Sequence, residues 1–100
     1  MAKYCETMQD VRAEIDRVDR EIVKILAERV NYIEQAGRIK PLRGQVRDQD
    51  RVDDVLAKVN AQAEKYGAPR ELVTMLYEQM VEWCINYEFT VFDRLEEQSK

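Results

Sequence analysis

One apolar seam runs through the first forty residues, and no proline interrupts it. Its members recur at steps of three and four: Val11, Ile15, Val18, Ile22, Ile25, Tyr32, Ala36 and Ile39. This spacing keeps one stripe of a helix turned toward a partner. It predicts a single long amphipathic helix over about residues 7–40. The seam position between Ile25 and Tyr32 is Arg29, a permanent charge in an apolar row.

Proline and glycine divide the rest of the chain into two further helical segments. The breakers are Pro41, Gly44, Gly67 and Pro69. They predict a second helix over about 46–65 and a third over about 69–96, with Pro69 in its first turn. Thr7 and Asp10 form a weak capping signal for the first helix. The predicted fold is all-α, with one long and two shorter helices in a single domain over residues 1–100.

The length of the first helix predicts a second copy of the chain. At 1.5 Å per residue the helix would extend ~50 Å. A compact domain of this size has a radius of gyration of ~13 Å and a diameter of roughly 35 Å. A monomer would leave one end of the apolar seam in water. We therefore expect an intertwined homodimer whose long helices pack along each other.

Composition excludes several classes of function. A net charge of −4 without a dominant basic patch argues against a nucleic-acid partner. The chain has no histidine, and its two cysteines fit no zinc spacing, so we expect no metal and no cofactor. No signal peptide and no run of membrane-spanning length is present, so we expect no membrane partner and a cytoplasmic location with reduced thiols.

Several charges stand where apolar residues are expected. Lys40 follows Arg29 by eleven residues, about 20° away on the helical wheel, so both can reach one pocket. Arg12 lies roughly 100° from Arg29 and would reach the pocket of the other chain in an antiparallel dimer. Glu88 interrupts an apolar row of the third helix, formed by Tyr77, Val81, Cys84, Val91 and Phe92.

The second helix opens with VRDQDR, where Arg47, Asp48 and Arg51 lie within one turn. Together with the cations of the first helix they outnumber Glu88, the obvious inward acid. Buried charge must be paired or must meet a ligand, and arginine suits carboxylates. The surplus predicts a small dianionic ligand. A pericyclic reaction fits a pocket without a nucleophile motif, because it requires only positioning and charge stabilisation.

Simpler interpretations exist for each of these residues. Arg29 could form an ion pair within the seam, and Lys40 could serve the dipole at a helix end. Cys84 is chiefly interpreted as core filling, although it is counted with the pocket. A non-catalytic helical dimerisation module therefore stays open.

The motifs resemble one known family over most of the chain, from about Met8 to Phe92. The opening LR..ID..D..I..LL.ER of the all-helical (type II) chorismate mutases is similar to VRAEIDRVDREIVKILAER here. The lysine of that family matches Lys40 in AGRIK, and its RD..R matches VRDQDR. The resemblance implies an intertwined dimer of three-helix subunits that converts chorismate to prephenate without a cofactor.

The resemblance also implies roles for individual residues. Arg29 would grip one substrate carboxylate, Arg12 of the other subunit the second, and Arg51 would support the carboxylate end. Lys40 would contact the ether oxygen and a carboxylate, and Asp48 would face the ring hydroxyl. The candidate site residues are Arg12, Arg29, Lys40, Asp48, Arg51, Cys84 and Glu88.

Two positions depart from the pattern of the family. The residue after Arg51 is often a glutamate that contacts the ring hydroxyl, and here it is Val52. The related isochorismate-pyruvate lyases, which form salicylate and pyruvate, can carry an apolar residue there. Glu88 stands where glutamine is common, although fungal mutases carry glutamate. Chorismate mutase activity is the main expectation, and lyase activity is the alternative.

Overall fold

Residues 2–99 are described by a computed structural model of the chain. They form three α-helices: α1, Met8–Ile39; α2, Gln49–Tyr66; and α3, Arg70–Gln98. A short 3-10 turn, Arg43–Gln45, lies between α1 and α2, and no strand occurs within residues 2–99. The predicted all-α fold with one long and two shorter helices is confirmed. Within the same residues, no helix combines the length and the apolar character that a membrane span requires.

The helix ends follow local capping chemistry. The Thr7 hydroxyl accepts the Asp10 amide at 3.1 Å, as the sequence predicted for the start of α1. The second helix begins three residues later than predicted, because Asp48 is its N-cap and accepts the Arg51 amide at 3.1 Å. Pro69 is likewise the N-cap of α3 and lies just before its first turn. At the other end of α2, Gly67 adopts a φ of 74°, which a glycine accepts without strain.

The chain divides into two compact units, Met1–Tyr32 and Ile33–Lys100. In the first unit none of the described residues 2–32 is buried. The seam residues of α1 are exposed there: Ile15, Val18, Ile22 and Ile25. Apolar side chains in a regular row contribute to stability only when they leave water, so this row favours a covering partner. The single-domain organisation stays a prediction.

The second unit contains the hydrophobic core. Its buried cluster consists of Val46, Val81, Ile85 and Phe92, against which Val52, Val55, Tyr77 and Phe89 pack. These residues come from the loop after α1 and from α2 and α3. The inward row predicted for α3 is buried at Val81, Cys84, Glu88, Val91 and Phe92, whereas Leu76 and Trp83 on its other stripe are exposed.

The last turn of α1 lies close against α3 at Gly37. A Cβ atom at this position would lie 3.0 Å from Val91 Cγ1 and 3.3 Å from the Glu88 carbonyl oxygen. Glycine is unfavourable inside a helix by roughly 1 kcal/mol relative to alanine, so the close approach accounts for its presence. Lys40 follows three residues later, and its side chain reaches Glu88 on the same stretch of α3.

Candidate functional site

An ion pair between Lys40 and Glu88 forms the centre of the candidate site. Lys40 Nζ donates to Glu88 Oε2 at 2.6 Å and to the Val46 carbonyl oxygen at 3.4 Å. Glu88 is only 4% exposed and is the one charged residue buried among residues 2–99. The Lys40 side chain is 29% exposed. The pair thus joins a buried carboxylate to an ammonium that solvent can reach.

This arrangement satisfies the buried charge and leaves a donor for another group. A carboxylate in an apolar row is costly unless a cation and hydrogen bonds compensate it, and Lys40 does so here. A lysine ammonium has three N–H donors, of which two point to Glu88 and Val46. The third can donate to an anion that enters from the solvent side. A dianion held there would experience a fixed positive charge beside an apolar wall.

The loop between Lys40 and Asp48 is held to α3 by two arginines. Arg43 Nε and Nη2 donate to the Asp93 carboxylate at 2.9 and 3.3 Å. The Arg43 guanidinium also lies 4.5 Å from the centroid of the Phe89 ring. Arg47 donates twice to Glu82, at 2.9 and 2.6 Å. Val46, between the two arginines, is 3% exposed.

These bidentate pairs change the titration of both carboxyls. The hydrogen bond from Arg43 lowers the pKa of Asp93, and the hydrogen bond from Arg47 lowers the pKa of Glu82. Sequence reasoning missed both pairs. The partners lie 50 and 35 residues apart, and each residue alone has the pattern of a solvated charge, so no local signal identifies them.

The structure gives contacts within the chain for two candidate residues at the start of α2, Asp48 and Arg51, and their substrate contacts stay a prediction. The Asp48 side chain caps the helix, while Arg51 donates to Asp54 at 2.6 Å on the exposed side. The expected surplus of cations over acids is therefore smaller, because Asp54 pairs with Arg51. Cys84 is 4% exposed and lies one turn before Glu88 on the buried side of α3, as core filling requires.

Arg12 and Arg29 belong to the first unit of the chain. Arg12 is exposed on α1, and Arg29 is half-buried near the C-terminal end of that unit. Their contribution to a pocket that includes Lys40 and Glu88 stays a prediction, as does the contribution of Arg12 from a second subunit.

A second polar contact joins the last turns of α1 to α3. The Tyr87 hydroxyl donates to Glu34 Oε1, and the Tyr87 ring stacks on Trp83 with a centroid distance of 5.2 Å. The hydrogen bond to Glu34 raises the pKa of Tyr87, and burial adds to the effect.

No group of three or more His, Cys, Asp or Glu side chains within residues 2–99 is arranged to hold a metal.

Comparison with known proteins supplies the family. The family model described as chorismate mutase type II matches residues 11–89. The isochorismate pyruvate lyase of Pseudomonas aeruginosa is 32% identical over 81 residues, which cover 81% of this chain and 80% of the lyase. The T-protein of Haemophilus influenzae is 31% identical over 71 residues, 70% of this chain. The bifunctional chorismate mutase/prephenate dehydratase of Aquifex aeolicus is 30% identical over 90 residues, 83% of this chain.

The similar proteins differ in length. The matched part of this chain spans 19% of the T-protein and 24% of the bifunctional enzyme. It spans most of the lyase. The likeness to the two longer proteins therefore concerns one part of each of them.

Proposed function

We propose that this chain, which belongs to the type II chorismate mutase family, catalyses the rearrangement of chorismate to prephenate. The observation that carries the proposal is the Lys40–Glu88 pair, 2.6 Å long and set at the edge of an apolar core. The cations among the candidate residues, Arg12, Arg29, Lys40 and Arg51, are the groups that would bind a dianion. The reaction needs no covalent participation from them.

The chemistry assigned to the pocket is electrostatic. In the rearrangement the ether C–O bond breaks while a C–C bond forms between the enolpyruvyl group and the ring, and no atom leaves the molecule. Partial negative charge develops on the ether oxygen in the transition state. A donor aimed at that oxygen stabilises the transition state more than the ground state. Lys40, held by Glu88 and Val46, is the proposed donor.

The other site residues are assigned to binding. Arg29 and the Arg12 of a second subunit hold the two carboxylates in this proposal, since guanidinium groups bind carboxylates through two parallel hydrogen bonds. Asp48 and Arg51 lie at the start of α2, beside the loop that follows Lys40. The exposed seam of α1 supports the homodimer that such a shared site requires.

Pyruvate elimination from isochorismate is the second candidate. The likeness to the lyase extends over most of that protein. Val52 is half-buried and packs against the core cluster of Val46, Val81, Ile85 and Phe92. Its side chain offers no hydrogen bond to a ring hydroxyl, so the position lacks the group that mutases often use to fix chorismate.

One assay separates these functions. The purified protein is incubated with chorismate and with isochorismate in turn, and prephenate, salicylate and pyruvate are quantified. We expect prephenate from chorismate, with kcat reduced by roughly 10²-fold or more in Lys40→Gln, because a transition-state donor is lost. Lys65→Gln removes the same charge from the exposed end of α2 and should behave as wild type.

The possible outcomes differ for each candidate. A higher kcat/KM for isochorismate, with salicylate and pyruvate in equal amounts, would assign the lyase reaction. A folded protein that converts neither substrate would contradict both reactions and leave the dimerisation module.

A further inference from the structure

We propose that the two arginine–carboxylate pairs of the loop, Arg43–Asp93 and Arg47–Glu82, are positioning residues that aim Lys40 at the substrate. We call these two pairs the loop clamp. The inference rests on the proposed function, in which Lys40 is the donor, and concerns how the chain holds that donor in place.

The loop supplies one of the two contacts that orient the ammonium. Lys40 Nζ donates to the Val46 carbonyl oxygen as well as to Glu88. A lysine side chain is flexible and loses rotamer entropy when it is fixed, so each contact that orients it matters. Where the Val46 carbonyl points depends on the backbone of residues 41–48.

The backbone of the loop has few hydrogen bonds of its own. The Gln45 amide donates to the Leu42 carbonyl at 3.0 Å, and the Val46 amide donates to the Arg43 carbonyl at 3.1 Å. These bonds form a single 3-10 turn, which is weaker than a continued helix. The buried Val46 side chain anchors the turn at one point. One anchor point still permits rotation of the peptide groups around it.

The loop clamp restricts that rotation from both sides. Arg43 precedes Val46 by three residues and binds Asp93, while Arg47 follows it directly and binds Glu82. Both acids lie on α3, the helix that also carries Glu88. A bidentate guanidinium–carboxylate pair defines orientation as well as distance, and the Arg43 guanidinium lies over Phe89 in addition. Both groups that contact Lys40 Nζ, the Glu88 carboxylate and the Val46 carbonyl, are thereby held in position by α3.

The side chains of the loop clamp are exposed, so an effect on turnover can be measured separately from an effect on the stability of the fold. The side chains are 60% and 52% exposed in the Arg43–Asp93 pair, and 42% and 55% exposed in the Arg47–Glu82 pair. Exposed ion pairs contribute little to folding. Their loss should therefore leave the unfolding midpoint nearly unchanged, whereas misplacement of a reacting group by ~1 Å can reduce turnover by about 10²-fold.

The test combines kinetics with hydrogen exchange on the full chain. The single variants are Arg43→Gln, Asp93→Asn, Arg47→Gln and Glu82→Gln, and each double variant neutralises both members of one pair. The control is Lys65→Gln. Lys65 Nζ lies 5.3 Å from the ring centroid of Tyr66, so the control, like Arg43→Gln, removes a cation that lies over an aromatic ring. We expect kcat to fall roughly tenfold in Arg43→Gln, with KM changed less than about threefold and thermal unfolding unchanged.

Two further results are expected if each pair acts as a unit. The double variant Arg43→Gln/Asp93→Asn should lose no more activity than either single variant. Arg43→Lys, which keeps the charge but not the fork, should recover only part of kcat. Protection of the Gln45 and Val46 amides against hydrogen exchange should decrease in the same variants.

The readouts distinguish a failure of this inference from a failure of the proposed function. Wild-type protein that converts neither chorismate nor isochorismate would contradict the proposed function. Amide protection equal to wild type in all single variants would overturn the loop clamp, whatever the activity. Values of kcat within twofold of wild type in both double variants would overturn its positioning role.

Discussion

The most informative single residue is Glu88, because it is buried, charged and paired with a lysine that the substrate would also approach. An ionised glutamate accepts hydrogen bonds and cannot donate them. In the ion pair its role is therefore to hold the Lys40 ammonium, which donates to Glu88 Oε2 at 2.6 Å.

The predicted consequence is that activity depends on the hydrogen-bonding group at this position. Glu88→Gln should keep or raise activity at neutral pH, since a side-chain amide can accept from Lys40 and can also donate. Glu88→Ala should lose most activity at every pH. A Gln variant that is inactive on chorismate, measured as kcat/KM at neutral pH, would contradict this role.

At the scale of secondary-structure elements, the loop is joined to α3 by the ion pairs of the loop clamp, so the strength of this connection depends on pH. Because Arg43 lowers the pKa of Asp93 from 3.8, the folded chain binds fewer protons there than the unfolded chain. The stabilising effect of the pair is thus fully present above the ordinary pKa and is lost as pH falls through the lowered one.

The ion pair predicts that the pKa of the Asp93 carboxyl changes when Arg43 is replaced. The side-chain carboxyl of Asp93, followed by NMR, should titrate below 3.8 in wild type and closer to 3.8 in Arg43→Gln. Glu82 should respond in the same direction to Arg47→Gln, relative to its ordinary value of 4.5. Lys65→Gln should leave both midpoints in place. An Asp93 midpoint that Arg43→Gln does not move would show that the pair does not persist in solution.

Considered as a whole molecule, the chain exposes a regular apolar row on α1 that a second copy would cover. Ile15, Ile22 and Ile25 are 52%, 49% and 64% exposed. Complete burial of a fully exposed side chain of this kind contributes about 1.5–3 kcal/mol, and these residues still have about half of their surface to bury. A symmetric dimer buries the same surface twice, so we expect the two seams to pair.

The dimer makes a quantitative prediction about mixed chains. Arg12→Ala and Arg29→Ala should each be nearly inactive as pure dimers, since every site lacks one carboxylate contact. When the two variants are unfolded, mixed and refolded, about half of the dimers contain both chains, and each of these has one intact site. About a quarter of wild-type activity should therefore return. No recovery at all would mean that a single chain supplies both arginines, and sedimentation of a folded monomer at micromolar concentration would exclude the dimer.

Local patterns predicted the helices but only part of the site. The seam from Val11 to Ile39 was sufficient for α1, because helical periodicity is repeated many times along it. Glu88 was identified as buried because its neighbours in the row are apolar. The partners of Arg43 and Arg47 could not be predicted, since tertiary packing alone determines which of the many acids of α3 faces the loop. The start of α2 was placed too early because the helix-forming tendency of residues 46–48 is overridden by the Asp48 cap.

The close approach at Gly37 has a consequence for how such sequences can diverge. The side chain of Val91 fills the space beside Gly37, since a Cβ atom added at Gly37 would lie only 3.0 Å from a Val91 methyl group. A side chain added at position 37 would require a smaller residue at position 91 or a displacement of α3. Glycine itself cannot become smaller, so a larger residue at position 91 could be accommodated only by such a displacement. In this way the volume of one residue limits which replacements keep Lys40 and Glu88 at their present distance.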